Sequence, residues 1–186
     1  MAIRKTSRQG VIDHALRLFR RNGYHYTSMA DIGTACGLLK GSIYHYFSTK
    51  EELASATLEK EINVAKEHIF NSAYQEGNSD QQRLIDFAEG ISLHFKDREG
   101  GCLMANFAFE AGNTLPELMP IIAHYFEEWV ESLAHILEKR YGRHRALELA
   151  ADSLARTQGA LLLMKVDNRA QAALQRTQHD MLSLLG

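Results

Sequence analysis

Apolar residues recur every three or four positions along most of the chain. Ile12, Ala15, Leu16 and Phe19 follow the i, i+3, i+4, i+7 spacing of one buried helix stripe. Thr6 with Gln9 is placed as a capping box ahead of that helix, and Gly23 is placed to close it. Ser28 with Asp31 opens a short helix through Met29, Ile32 and Ala35, which Gly37 interrupts. A further helical stretch spans about Lys40 to Tyr46. Ser48 with Glu51 then opens a long helix with Ala54, Leu58, Ile62, Ala65 and Ile69 on its apolar side.

Gln75–Asp80 reads as a polar loop, and Asp97–Gly101 as a break. Helices are expected from about Gln81 to Phe95, Cys102 to Ala111, Pro116 to Tyr141, Arg143 to Val166 and Arg169 to Leu185. Proline suits the first turn of the third of these. Strand alternation is absent. The pattern predicts an all-α chain of about nine helices, without internal repeats.

Composition narrows the class. Of 186 residues, 45% are hydrophobic and 24% charged, the balance of a globular chain rather than a disordered one. No apolar run is long enough for a membrane span, and the N-terminal MAIRKTSRQG lacks the apolar core of a secretory signal. Two cysteines make no disulfide framework and suit a reducing cytoplasm.

Charge divides the chain. Residues 1–50 carry eight Lys and Arg against two acids, a balance of +6. Of the totals of 21 basic and 23 acidic residues, the remainder holds thirteen and twenty-one, a balance of −8. A basic head on an acidic body points the head toward a polyanion, although clustering on a solvated surface gives the same arithmetic.

Two short helices around a glycine turn form the core of a helix-turn-helix, whose second helix enters the DNA major groove. Lys40 and Lys50 supply charge for phosphates. Thr27 and Ser28 sit at a helix start, where hydroxyls and free N–H groups favour an anion. Gly41 permits close backbone approach, while Ser42, Tyr44 and His45 project from the second helix. Ile32, Ile43 and Phe47 form its small core.

The stretch from Thr27 to Leu53, T-S-M-A-D-I-G-T-A-C-G-L-L-K-G-S-I-Y-H-Y-F-S-T-K-E-E-L, resembles the DNA-binding domain of TetR-family transcriptional regulators. The resemblance covers roughly the first 55 residues. It implies that Lys40, Tyr44 and Tyr46 contact DNA, with Tyr46 at phosphate. Thr27, Ser28 and Lys50 would also grip phosphates, and Ser42 and His45 would read bases. Leu39 stands where the family often has Ser or Thr, which removes a helix cap and shifts weight to Lys40.

The resemblance also implies two functional parts, residues 1–50 for DNA binding and 51–186 for effector binding and dimerisation. One recognition helix makes few base contacts, so a homodimer reading a near-palindrome is expected. The family dimerises through its last helices. Ala146, Ala150, Ser153, Leu154, Thr157, Leu161 and Met164 mark the candidate stripe, which would otherwise pack inside its own subunit.

The middle helices are expected to hold a small-molecule effector pocket. Candidates are His94, Asn106, Phe109, His124, Trp129 and Gln158. The segment from Gly100 to Gly112 resembles the Gly-Cys-Leu element of a TetR branch regulating reductases of reactive aldehydes and other electrophiles. It makes Cys102 either a thiol sensor at a helix start, with Lys165 as a possible neighbour, or a small buried cysteine between glycines. Cys36 reads as core.

The nine histidines show no zinc-binding spacing, and no phosphate loop, dinucleotide fingerprint or nucleophile elbow occurs. No metal or cofactor is expected. A thiol-dependent all-α enzyme using Cys102 would leave the basic head unexplained. A purely architectural DNA binder would leave the acidic, aromatic-rich body unexplained. The sequence therefore predicts a cytoplasmic, non-enzymatic, effector-responsive repressor.

Overall fold

Short polar side chains and positive-φ glycines set the helix ends. A computed structural model describes residues 6–39, 41–96, 100–112, 114–167 and 171–186. These residues contain eight α-helices, three short 3-10 turns and no strand. None of the described helices is long and apolar enough to cross a membrane.

The Cα framework divides into two compact units. The first is Met1–Ile62 with Leu103–Ile122, and the second is Asn63–Cys102 with Ala123–Gly186.

In the first unit, α1 (Arg8–Asn22) is capped by Ser7, whose hydroxyl accepts from the Gly10 N–H at 3.1 Å. Ser7 has the extended backbone that a cap requires, so the start falls one residue after the expected Thr6 box. Gly23 ends the helix at φ 87°.

Helix α2 (Met29–Ala35) has both halves of its capping box, Ser28 and Asp31. The expected helix over 40–46 is instead a four-residue 3-10 turn, Ser42–His45. Gly41 precedes it in the left-handed region at φ 86°, and no side chain caps it, which prevents an earlier start.

Helix α3 (Lys50–His68) also begins one cap later than expected. Thr49 accepts from the Glu52 N–H at 3.0 Å, and Glu52 accepts from the Ser48 N–H at 2.9 Å. The Glu51 carboxylate also accepts from the Tyr24 hydroxyl, at 2.9 Å.

Val11, Ala15, Phe19, Ile32, Ile43, Phe47 and Leu53 form the core of this unit. A buried ion pair, Arg20 with Glu61 at 3.0 Å, joins α1 to α3. Lys60 and Asp13 pair nearby. Helix α5 (Leu103–Ala111) packs here as well, with Phe107 edge-on to Phe19 at 5.5 Å between centroids.

The second unit is built on α4 (Asp80–Phe95), α6 (Met119–Tyr141) apart from its first four residues, α7 (Arg143–Val166) and α8 (Gln171–Leu182). Pro116–Leu118 forms a 3-10 turn ahead of α6, shortening the helix expected there. Trp129 is fully buried among the rings of Phe70, Phe87, Phe95 and Tyr125, at centroid distances of 6.0–6.4 Å. A Cβ at Gly90 would stand 2.3 Å from the His68 carbonyl, so glycine lets α4 cross the end of α3. Gln178 of α8 donates to the Ala88 carbonyl of α4 at 3.1 Å.

Helix α7 turns its proposed dimer stripe inward. Ala146, Ala150, Ser153, Thr157 and Leu161 are buried within the chain itself, and Leu154 and Met164 are half-buried. The opposite face exposes Ala151, Ala155, Gly159, Leu162, Leu163 and Val166.

Candidate nucleic-acid interface

The Ser42–His45 turn stands on two buried apolar residues. Ile43 and Phe47 are 2% and 1% exposed and anchor it against α2. Gly33 makes the approach close, since its added Cβ would meet Ile43 at 3.6 Å. The alternation leaves Tyr44 and His45 exposed and Ser42 half-buried, and Gly41 is exposed beside them. This is a compact display of hydrogen-bonding side chains. Lys40 lies outside the described residues.

Other predicted contacts sit differently. Thr27 is fully buried, and its hydroxyl donates to the Gly23 carbonyl at 2.8 Å. It holds the α1–α2 turn together instead of facing a phosphate. Tyr46 is half-buried and donates to the Thr6 carbonyl at 3.0 Å. Ser28 remains exposed, but its hydroxyl serves the α2 cap, donating to Asp31 at 2.6 Å. That hydrogen bond, then the Ser28 N–H, holds the Asp31 carboxyl below its ordinary value.

Lys50 is half-buried, with Nζ 3.9 Å above the Tyr24 ring. Burial pulls its pKa down, against the opposing fields of Glu51, Glu110 and Asp31. Burial and the Glu51 hydrogen bond push the Tyr24 phenol upward. Cys36 is half-buried, and burial raises its thiol pKa, as suits a core position.

Sequence reasoning missed the role of α5 in this unit. The His25 N–H donates to Glu110 at 3.3 Å, and His25 Nε2 lies 2.8 Å from the Glu110 carbonyl. The Glu110 carboxylate also packs over Gly23, where a Cβ would stand 2.5 Å from it. Phe107 packs on Tyr24 at 5.4 Å. These partners lie some 85 residues apart, beyond any local spacing rule.

The effector candidates divide between the units. Asn106 and Phe109 belong to the first, and Phe109 is 83% exposed, not a pocket-lining position. His94, Cys102, His124, Trp129 and Gln158 belong to the second. His124 is exposed and pairs with Glu128 at 3.5 Å. His94 and Cys102 are buried. Trp129 Nε1 and both amide atoms of Gln158 are buried without a hydrogen-bond partner among the described residues. Gly100 and Gly101, at φ 92° and 74°, precede Cys102. Lys165 is exposed on α7. Among the described residues no group of three or more His, Cys, Asp or Glu is arranged to hold a metal ion.

The family model for bacterial regulatory proteins of the tetR family matches residues 11–57. That for the C-terminal domain of LmrA/YxaF-like transcriptional regulators matches residues 82–179. The chain belongs to the TetR family.

As a TetR-family protein it is a DNA-binding transcriptional regulator and not an enzyme. It is 27% identical over 170 residues to the HTH-type transcriptional repressor DhaR of Mycobacterium sp., covering 88% of this chain and 85% of DhaR. The HTH-type transcriptional regulator YxaF of Bacillus subtilis is 26% identical over 167 residues, covering 88% and 87%. A TetR transcriptional regulator from Legionella pneumophila shares the fold, with a TM-score of 0.85 at 22% identity over 95% of this chain and 96% of that one.

Proposed function

We propose that this TetR-family regulator is a cytoplasmic repressor that binds a near-palindromic operator as a homodimer and is released by a small-molecule effector. The carrying observation is the Ser42–His45 turn, with Tyr44 and His45 exposed above the buried Ile43 and Phe47. Ser42, Tyr44 and His45 read base edges, Gly41 allows the backbone to approach, and Ser28, Lys40 and Lys50 contribute to the surrounding phosphate surface. Repression follows the name of DhaR, a relative similar over most of its length.

The outward face of α7 receives the second copy. Its small residues, Ala151, Ala155 and Gly159, lead into Leu162, Leu163 and Val166, the last 81% exposed. A Cβ at Gly159 meets nothing within 4 Å, leaving room for a partner helix.

Effector binding belongs to the aromatic body around Trp129. The orphaned Trp129 Nε1 and Gln158 amide supply polar recognition there, because such buried groups gain most from a new partner. Glu110 and Phe107 of α5 hold the α1–α2 turn, so a shift of α5 moves the DNA-reading elements. A coupling of about 1–3 kcal/mol changes operator affinity roughly 5–150-fold.

The test is fluorescence anisotropy on DNA from upstream of its own gene, at fixed salt. Wild type and Cys102→Ser are compared with and without N-ethylmaleimide. Because Cys102 is only 5% exposed, both proteins are expected to bind and to ignore the reagent, with release reserved for a reversible ligand. Release of wild type alone would make Cys102 the sensor. Failure of both proteins to bind any upstream duplex would overturn the operator reading.

A further inference from the structure

Arg8 opens α1 where the helix dipole disfavours a cation, and the first turn of α1 contains no acid to offset it. Its guanidinium is exposed and lies 4.3 Å from the centroid of the Phe47 ring. Among the described residues it has no carboxylate partner. Its electrostatic partner among the described residues is the Phe47 ring rather than a carboxylate.

Two contacts tie the start of α1 to the recognition turn. Tyr46 donates its hydroxyl proton to the Thr6 carbonyl at 3.0 Å, across 40 positions of sequence. Arg8 packs over Phe47. Tyr46 and Phe47 directly follow Ser42–His45, so both contacts hold the helix start beside the base-reading side chains.

We propose that Arg8 binds a DNA phosphate flanking each half-site, and that Tyr46 is a positioning residue that acts through Thr6. The inference rests on the DNA-binding reading of the Ser42–His45 turn. A phosphate complements the guanidinium and the positive end of α1 together. The cation–π contact with Phe47 restricts the side chain without consuming its N–H donors. Such a contact fixes register and strengthens binding without reading sequence.

Each neutralised phosphate contributes about 0.9 to the magnitude of the slope of log affinity against log salt. A dimer carries two copies of Arg8, so removing the charge is expected to lower that slope by about 1.8. The experiment measures the slope for wild type, Arg8→Gln, Arg8→Lys, Tyr46→Phe and the Arg8→Gln/Tyr46→Phe pair. The probes are the upstream duplex and a duplex of unrelated sequence, and thermal melts check each fold.

Arg8→Gln is expected to weaken both duplexes by the same factor and to lower the slope, whereas Arg8→Lys retains it. Tyr46→Phe weakens binding in the wild-type background and has little further effect beside Arg8→Gln. An unchanged slope in Arg8→Gln overturns the phosphate contact. An equal Tyr46→Phe loss in both backgrounds overturns the positioning role and makes Tyr46 an independent DNA ligand. Absence of binding by wild type to either duplex refutes the underlying DNA-binding reading and this inference with it.

Discussion

The two compact units use polar residues differently. Around the recognition turn, small polar groups close short local loops: Ser7 with Gly10, Ser28 with Asp31, and Thr49 with Glu52. These i, i+3 bonds are dictated by spacing, and they fix where helices begin. In the second unit Ser79 caps α4 in the same way, accepting from the Gln82 N–H at 3.2 Å, but large rings close around Trp129 and the buried amide atoms of Gln158 lack a hydrogen-bond partner among the described residues. The first arrangement builds a defined display. The second leaves buried polar atoms unpartnered among the described residues, which is what supports the effector site proposed there.

The largest expected effect tests the rigidity of the first unit. Arg20 and Glu61 form a buried pair, with side chains 10% and 5% exposed. Glu61→Ala leaves an arginine charge without its carboxylate and is expected to cost about 3–5 kcal/mol. Arg20→Met with Glu61→Leu removes both charges and is expected to recover most of that loss. Urea unfolding monitored by circular dichroism checks both values. If the single variant matches wild type, the pair does not brace the first unit.

Helix α7 sharpens the comparison because it has two apolar faces. Ala150→Leu enlarges a fully buried side chain and is expected to cost about 1–3 kcal/mol by overpacking. Leu163→Glu alters a side chain 55% exposed in the single chain and is expected to leave the folded protomer stable. It would instead yield monomers in sedimentation analysis and weaken operator binding. A Leu163→Glu dimer of wild-type affinity would remove the outward face from the interface.

That helix also marks the limit of local sequence reading. Its bounds, Arg143–Val166, are legible because Gly142 precedes a long uninterrupted pattern. Which apolar face packs inside the chain is not legible, because Ala146 and Ala150 carry the same chemistry as Ala151 and Ala155. Periodicity supplies a face, and the neighbouring helix decides its fate.

The DNA head shows the same division at side-chain scale. The Ser28 cap and Gly23 helix stop follow from adjacent residues. The buried clasp of Thr27, the Tyr46 bond to Thr6 and the exposure of Phe109 depend on packing between distant segments. A hydroxyl announces that it will hydrogen-bond, but spacing does not say with what.

The exposed residues proposed to read DNA provide a smaller energetic test. His45→Ala and Tyr44→Ala are each expected to change discrimination among operator variants by about 1–3 kcal/mol, with little change in melting temperature. Lys40→Ala should weaken binding more uniformly across sequences, as removal of a phosphate contact does. Competition against a library of base-substituted duplexes separates the two behaviours. Unchanged affinity and preference in all three variants would remove the recognition surface from this turn.

The smallest effect isolates one local cap. Ser28→Ala removes the side-chain acceptor for the Asp31 N–H and is expected to cost about 1 kcal/mol near neutral pH. The Ser28 hydroxyl also donates to the Asp31 carboxylate, lowering its folded-state pKa from an ordinary value of 3.8. A depressed acidic pKa stabilises the fold above the unfolded value, and that contribution disappears as pH falls through the folded value. Wild type is therefore expected to lose this contribution on acidification below about pH 4, with a shallower loss in Ser28→Ala. Urea melts across that window test the linkage. Parallel pH profiles would show that the Ser28 hydroxyl caps the helix without setting the Asp31 titration, which leaves the backbone N–H as the governing donor.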